Sequence, residues 1–139
     1  MSTQRVSLIT LGVADVARAR AFYEAWGWVP ATANDGFVVF QCGGVGLSLF
    51  PRDELADDVG RPLGDGAGAV TVAQNYPTTD DVDAAYASAL AAGAEAVKAP
   101  ERVFWGGYSG YVADPDGHLW ELAHNPGWPV ADDGSVTVS

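Results

Sequence analysis

The sequence has little cysteine, few basic residues and no long apolar run, and each shortage excludes a class of function. A single cysteine, Cys42, rules out an internal disulfide framework and a cysteine-based zinc site. Seven Lys and Arg residues stand against 18 Asp and Glu, which gives a net charge of −11, and the basic residues are not clustered. We therefore expect neither nucleic acid nor an anionic membrane surface as a partner.

The remaining composition is that of a globular chain. Hydrophobic residues make up 48% of the 139 residues and charged residues 18%, which favours one folded domain with its own core. No apolar run approaches the roughly 18 residues that span a bilayer. Residues 1–4 are polar and do not resemble a secretory signal, so a cytoplasmic location is expected. Cys42 lies in an apolar run beside Gly43, where a buried, unreactive thiol is expected.

An internal repeat organises the chain. When Asp15 is aligned with Asp81, an offset of 66, five further identities follow, and the last of them places Gly27 on Gly93. Both segments predict amphipathic helices that end at these glycines, capped by Asp15 in the first and by Thr78 or Thr79 in the second. The two apolar stripes consist of Val16, Ala19, Phe22, Tyr23 and Trp26, and of Val82, Ala85, Tyr86, Ala89 and Leu90.

Strand-like segments surround each predicted helix in the same order. One apolar run precedes each helix, at 6–13 and 69–76, and three short strand candidates follow each. These candidates are 28–31, 37–42 and 45–50 in the first module and 94–98, about 104–113 and 118–123 in the second. Gly43-Gly44 and the Asp-Pro-Asp-Gly segment 114–117 are the predicted turns between the last two candidates of each module. The prediction is an α+β fold of two tandem βαβββ modules within one domain, 1–139. Module one covers about 5–51, a loop-like linker 52–67, module two about 68–125 and a tail 126–139.

Two segments resemble a known family. Residues 13–28, with Val-Ala-Asp-Val followed by Ala-Phe-Tyr and Gly-Trp, resemble the first strand and helix of the glyoxalase/bleomycin-resistance/extradiol-dioxygenase (vicinal oxygen chelate, VOC) superfamily. Residues 107–121, Gly-Tyr-Ser-Gly-Tyr-Val-Ala-Asp-Pro-Asp-Gly-His-Leu-Trp-Glu, resemble its closing hairpin. The resemblance covers about 5–126. It implies that the two modules form a cupped mixed sheet around a ligand, and that the protein is a homodimer.

The resemblance also implies where a metal would bind. Family ligands come from the first and last strands of each module, which places them at Leu8, Leu49, Gln74 and Glu121. Leucine cannot ligate a metal, so the site is expected to be degenerate. No metal cofactor is favoured, and at most Gln74 and Glu121 hold a divalent ion weakly. Strand alternation directs His118 and His124 away from the side of Glu121, although a bulge at the strand end would change this.

Three further features bear on the site. Glu121, if desolvated, is a candidate general acid or base, and the alternative is a structural partner of Gln74 or of a tyrosine hydroxyl. The aromatic, glycine-rich segment 104–111 suits a pocket for a flat ligand, with Trp105 and Tyr111 as the expected lining. Trp128 is expected to anchor the tail to its own domain or a partner subunit, or to cap the cup.

The leading hypothesis is a VOC protein that binds a small, partly aromatic organic molecule in an apolar cup. Drug-sequestering resistance proteins of the superfamily are the nearest analogy. The expected ligand-binding residues are Leu8, Leu49, Gln74, Trp105, Tyr111 and Glu121. Two enzymatic alternatives remain open: a divalent-metal-dependent lyase, isomerase or dioxygenase, and a metal-free acid/base enzyme that uses Glu121.

Overall fold

The computed structural model describes residues 3–64 and 68–139. The chain divides into two compact units, Met1–Gly64 and Asp65–Ser139, and each unit contains one four-stranded mixed sheet. Together the three helices and two mixed sheets give the α+β architecture that the repeat predicts. Within the described part of the chain, no helix is both long enough and apolar enough to cross a bilayer.

The first unit follows the predicted order of elements with a helix added at its end, but its second strand is 32–33 and the predicted strand at 28–31 is wrong. Its elements are β1 (Leu8–Val13), α1 (Val16–Ala25), β2 (Thr32–Ala33), β3 (Val38–Cys42), β4 (Val45–Pro51) and α2 (Arg52–Val59). The strand order is β1-β4-β3-β2, and β1 runs parallel to β4 while the other pairs are antiparallel. The core contains Tyr23 and Phe40, whose ring centroids lie 5.8 Å apart. Helix α1 therefore packs on the face of the sheet that carries Phe40.

The second unit repeats this topology. Its elements are β5 (Thr71–Asn75), α3 (Thr79–Ala91), β6 (Glu95–Arg102), β7 (Tyr108–Ala113) and β8 (Leu119–His124). The strand order is β5-β8-β7-β6, with β5 parallel to β8. The βαβββ order occurs in both units, as the sequence predicts.

The helix ends show that the two repeats differ in length. Asp15 caps α1 by accepting from the Arg18 amide at 3.1 Å, and Thr78 caps α3 by accepting from the Asp81 amide. Gly27 and Gly93 follow the helices with φ near +110°, as predicted. The offset is therefore 63 residues at the caps and 66 at the glycines, because α1 has 10 residues and α3 has 13. The alignment of Asp15 with Asp81 is wrong for everything before the helices.

Both predicted turns are confirmed. Gly43 and Gly44 connect the paired residues Cys42 and Val45, and the Gly117 amide donates to the Asp114 carbonyl at 2.9 Å. The environment predicted for Cys42 is wrong, since this residue is exposed at the end of β3. The prediction of a loop throughout 52–67 is also wrong, because 52–59 form α2. Residues 65–67 lie outside the described part of the chain.

The region that was expected to be one strand, 104–113, divides into a turn and β7. The Val103 amide donates to the Gly107 carbonyl and closes the turn. Strand β6 bulges against β7 at two places, and a Cβ at Gly110 would lie 2.8 Å from the Lys98 carbonyl oxygen and from the Pro100 nitrogen. The glycine in β7 thus permits a close backbone approach, the role that its position in a strand suggests.

The tail forms a small hairpin. Val130 and Val136 make a β-bridge, and the indole nitrogen of Trp128 donates to the Ser139 carbonyl at 3.1 Å. The Trp128 indole thus bonds within the tail, and its expected role as an anchor to its own domain or a partner subunit, or as a cap on the cup, stays a prediction.

Candidate functional site

The second sheet has two faces that the strand register defines. Tyr108 lies on the face covered by α3, because its hydroxyl donates to Oδ1 of Asp83 in that helix at 2.6 Å. Leu122 and Trp120 share this helix face and are buried. The opposite face, here called the far face, carries Tyr111 and Glu121, which pair directly across β7 and β8.

Tyr111 and Glu121 form the central polar pair of the far face. The Tyr111 hydroxyl donates to Oε2 of Glu121 at 3.0 Å, and both side chains are half-buried. Partial desolvation, followed by the hydrogen bond to Glu121 and its negative charge, raises the pKa of Tyr111 above its usual value. The phenol therefore stays protonated and donating at neutral pH. The sequence left two roles open for Glu121, a general acid or base and a partner of Gln74 or of a tyrosine hydroxyl. The structure shows the pairing with a tyrosine hydroxyl.

Three alanines lie beside this pair on the far face. Ala73 is the β5 partner of Glu121, while Ala123 and Ala113 occupy the far face one step along the strands on either side. Ala73 is exposed, whereas Ala113 and Ala123 are buried. The large neighbours of the pair are Leu119, two residues before Glu121 in β8, and Lys98, the β6 partner of Tyr111.

Strand β6 adds charged residues to the same face. Glu95, Lys98 and Glu101 are register partners of far-face residues in β7. The Lys98 ammonium lies 3.0 Å from the Glu101 carboxylate, and both side chains are largely exposed. Together with Glu121, the strands place three carboxylates and one ammonium on the far face.

Gln74 does not join this site. It pairs with Leu122 and therefore points to the helix face, so the expectation that it lies beside Glu121 is wrong. Its side-chain oxygen accepts a short hydrogen bond from the Tyr76 hydroxyl. Burial, aided by the charge of Asp81, raises the pKa of Tyr76 to about 12. Gln74 thus lies on the helix face and is hydrogen-bonded to Tyr76, the residue that follows β5.

The two histidines also lie away from the pair. His124 pairs with Tyr108 on the helix face, as strand alternation predicts, and its Nδ1 lies 2.9 Å from the Tyr76 carbonyl oxygen. His118 follows the closing turn, where its amide donates to Oδ1 of Asp114.

The two site residues predicted in the first sheet, Leu8 and Leu49, lie on opposite faces of that sheet. Leu49 pairs with Leu11 and Val38, and it is fully buried on the face that α1 covers. Leu8 points the other way, is 51% exposed, and lies so close to Gly46 that a Cβ there would be 2.8 Å from Leu8 Cδ1. The expectation that Leu8 and Leu49 line one surface is therefore wrong.

The register gives the corrected correspondence between the two units. Ser48 pairs with Thr10 of β1, and Glu121 pairs with Ala73 of β5. Thr10 and Ala73 are equivalent under the offset of 63 residues set by the helix caps. Ser48 therefore corresponds to Glu121, and Leu49 to Leu122. By the same comparison Leu8 corresponds to Thr71. The sequence alignment was wrong by one residue in the last strand and by three in the first. An odd shift in a strand moves each side chain to the opposite face.

Comparison with known proteins agrees with this fold. The family model of the Glyoxalase/Bleomycin resistance protein/Dioxygenase superfamily matches residues 5–122. The chain belongs to this superfamily. A solved structure of a glyoxalase-related enzyme from Fulvimarina pelagi is 37% identical, with a TM-score of 0.93 and 99% of each chain covered. A glyoxalase/bleomycin resistance protein/dioxygenase from Nocardioides is 25% identical, with a TM-score of 0.75, 89% of this chain covered and 85% of the other.

Curated relatives are less informative. An uncharacterized protein of Mycobacterium bovis is 41% identical over 91 residues, which cover 63% of this chain and 55% of the relative. A protein of Mycobacterium tuberculosis, also uncharacterized, gives the same identity over 49% of its own length. The chain thus spans about half the length of the curated relatives that it matches.

The residues at the superfamily's metal positions do not fit a tightly bound divalent ion. With the register corrected, these positions hold Leu8, Ser48, Thr71 and Glu121. One is apolar, two are neutral hydroxyls and only Glu121 carries a charge, and its Oε2 already accepts from Tyr111. In the ranges 3–64 and 68–139, no group of three or more His, Cys, Asp or Glu residues is arranged to hold a metal.

Trp105 lies in the turn that precedes β7. It is 42% exposed, and a Cβ at Gly107 would lie 1.7 Å from ring atom Cζ3, so the indole lies directly over the glycine. Phe104 beside it is fully exposed. A ligand-binding role for Trp105 stays a prediction.

Proposed function

We propose that this superfamily member binds a small, partly aromatic organic molecule on the far face of its second sheet. In this proposal no tightly held metal takes part. The ligand lies against the ring of Tyr111 and meets the carboxylate of Glu121, and the three alanines beside this pair leave room for it. Concave, largely apolar surfaces with a few oriented polar groups are the usual sites for such molecules.

The Tyr111–Glu121 hydrogen bond carries the proposal. A half-buried tyrosine whose proton is directed to a carboxylate is held in one orientation, which suits it to position a ligand. The same bond occupies one oxygen of the only charged residue at the superfamily's metal positions. This arrangement supports binding without a metal over the metal-dependent alternative.

Tyr111 and Tyr108 provide a matched pair of variants. Both tyrosines belong to β7 and donate to a carboxylate, but they lie on opposite faces of the sheet. The test is native mass spectrometry of the purified protein, followed by a thermal-shift screen of small aromatic compounds. We expect Tyr111→Phe to weaken binding of the compounds that stabilise the wild type, and Tyr108→Phe to leave their affinity unchanged.

Turnover distinguishes binding from catalysis. The Fulvimarina pelagi relative is described as a glyoxalase-related enzyme, so aldehyde–thiol adducts and catechols are tested with and without added divalent metal. We expect no turnover with either class. Metal-dependent turnover that is lost in Glu121→Ala would contradict the proposal and favour the lyase or dioxygenase alternative.

A further inference from the structure

We propose that the polar group of the ligand bound on this far face is a protonated amine. The inference rests on the proposed function, because it specifies the chemistry of the molecule that Tyr111 and Glu121 meet. Three properties of the face lead to it: the direction of its hydrogen bonds, its charge and the ring of Tyr111.

The hydrogen-bond direction follows from the chemistry of the pair. An ionised carboxylate only accepts hydrogen bonds, so the proton between the two groups belongs to the Tyr111 hydroxyl. A phenol has one proton, and here it is directed to Glu121 Oε2. The phenol oxygen keeps its lone pairs, and Glu121 Oε1 also accepts. The pair therefore offers acceptors to a ligand, and the ligand has to supply donors.

The net charge of the far face also favours a ligand that carries a positive charge. Strand β6 lies next to β7, on the side away from β8, and on the far face its Glu95 and Glu101 outnumber Lys98, the register partner of Tyr111. The ammonium of Lys98 is already 3.0 Å from the Glu101 carboxylate. Because the three carboxylates outnumber the one ammonium, the far face as a whole repels an anionic ligand and attracts a cationic one.

The ring of Tyr111 adds a contact for a cation. The negative face of a phenol ring attracts an ammonium group that lies within about 6 Å of the ring centroid. Ala73, Ala113 and Ala123 are too short to cover the ring or the carboxylate. An amine is able to donate to the carboxylate while its methylene group contacts the ring.

Three probes with the same phenyl ring isolate the polar group: 2-phenylethylamine, 2-phenylethanol and 3-phenylpropionate. Their dissociation constants are measured by calorimetry at neutral pH and low salt. We expect the amine to bind about tenfold or more tightly than the alcohol, and the carboxylate to bind most weakly. Added salt should weaken the amine and leave the alcohol unchanged, because only the amine gains from charge.

Variants assign the preference to Glu121. We expect Glu121→Gln to remove the advantage of the amine and to leave the alcohol's affinity unchanged. Glu54→Gln, an equivalent charge removal in α2 of the other unit, should keep the preference. Circular dichroism confirms that each variant is folded.

The outcomes separate this inference from the proposed function. Equal binding of amine and alcohol, or tighter binding of the carboxylate, overturns the amine inference while aromatic binding stands. An amine preference that survives Glu121→Gln also overturns it. Failure of all three probes to bind at millimolar concentration rejects both the inference and the aromatic-binding function.

Discussion

Leu8 and Leu49 point to opposite faces of the same sheet. Leu49 has no exposed surface and lies beside Leu11 under α1, whereas Leu8 is half exposed and lies over Gly46. Two leucines that the resemblance treats as equivalent site residues therefore have different physical roles. Leu49 belongs to the core, and Leu8 belongs to the face that corresponds to the one carrying Glu121.

Alanine substitution separates these roles. Leu49→Ala should lower the free energy of unfolding by about 2–5 kcal/mol, because it removes a fully buried side chain and leaves a cavity. Leu8→Ala should cost less than about 1 kcal/mol, since half of its side chain remains in water in the folded state. Urea unfolding followed by circular dichroism measures both. Similar losses for the two variants would contradict the assignment of faces.

The sequence predicts those parts of the fold that depend on local chemistry. The caps at Asp15 and Thr78 and the glycines after the helices were predictable because each satisfies a backbone requirement at one position. The Gly43-Gly44 hairpin was predictable for the same reason. These features fix the order of the elements, and with it the βαβββ repeat.

The faces of individual strand residues were harder to predict. A strand alternates its sides at every residue, so the three additional residues of α3 reversed the assignment of Gln74, and a one-residue error reversed that of Leu49. Helix α2 was missed because its sequence is mostly polar and begins without a side-chain cap. The correct faces come from the register of β1 with β4 and of β5 with β8.

The backbone approach at Gly110 leads to a stability prediction. Gly110→Ala would place a Cβ 2.8 Å from backbone atoms of Lys98 and Pro100, which cannot move as a flexible side chain does. We expect a loss of about 1–3 kcal/mol from overpacking. Gly44→Ala is the control, since no atom lies within 4 Å of its added Cβ, and it should change stability by less than about 0.5 kcal/mol. Equal thermal midpoints for the two variants would refute the close approach.

The raised pKa of Tyr76 predicts that the protein loses stability at alkaline pH. Its pKa is raised from 10 to about 12 in the folded protein, chiefly by burial, so folding favours the protonated phenol. Its contribution is complete below pH 10 and is lost as the pH rises toward 12. Tyr76→Phe should therefore flatten the decline of stability between these values. Denaturant midpoints across this range provide the measurement, and an unchanged slope would contradict the prediction.

A homodimer is the expected state in solution. In the described residues, β1, β2, β5 and β6 are the edge strands of the two sheets, and Val29, Val97 and Phe104 are exposed apolar residues. Association of two chains would cover part of this surface. Sedimentation at micromolar concentration should give twice the mass of one chain. A monomer under these conditions would reject the expectation.

The last prediction concerns metal content. The purified protein should contain far less than one equivalent of divalent metal, and a chelator should leave its thermal midpoint unchanged. Of the positions at which the superfamily binds metal, only Glu121 supplies a charged ligand, and Tyr111 already donates to it. Water would have to complete nearly all of an octahedral shell, so the ion would be held weakly. Stabilisation grows with the logarithm of metal concentration over its dissociation constant, and at trace concentration it is close to zero.

Elemental analysis after gel filtration, with Glu121→Ala as the companion variant, decides whether a divalent metal is held tightly at Glu121. One equivalent of nickel, zinc, manganese or iron that persists in the wild type and is absent from Glu121→Ala would contradict the ligand count. The missing ligands would then have to come from residues that the strand register places elsewhere. His118 would be tested before His124, because the ring of His124 lies on the helix face, with Nδ1 2.9 Å from the Tyr76 carbonyl oxygen. A metal that binds equally well to Glu121→Ala would lie outside this site and would leave the assignment of the far face intact.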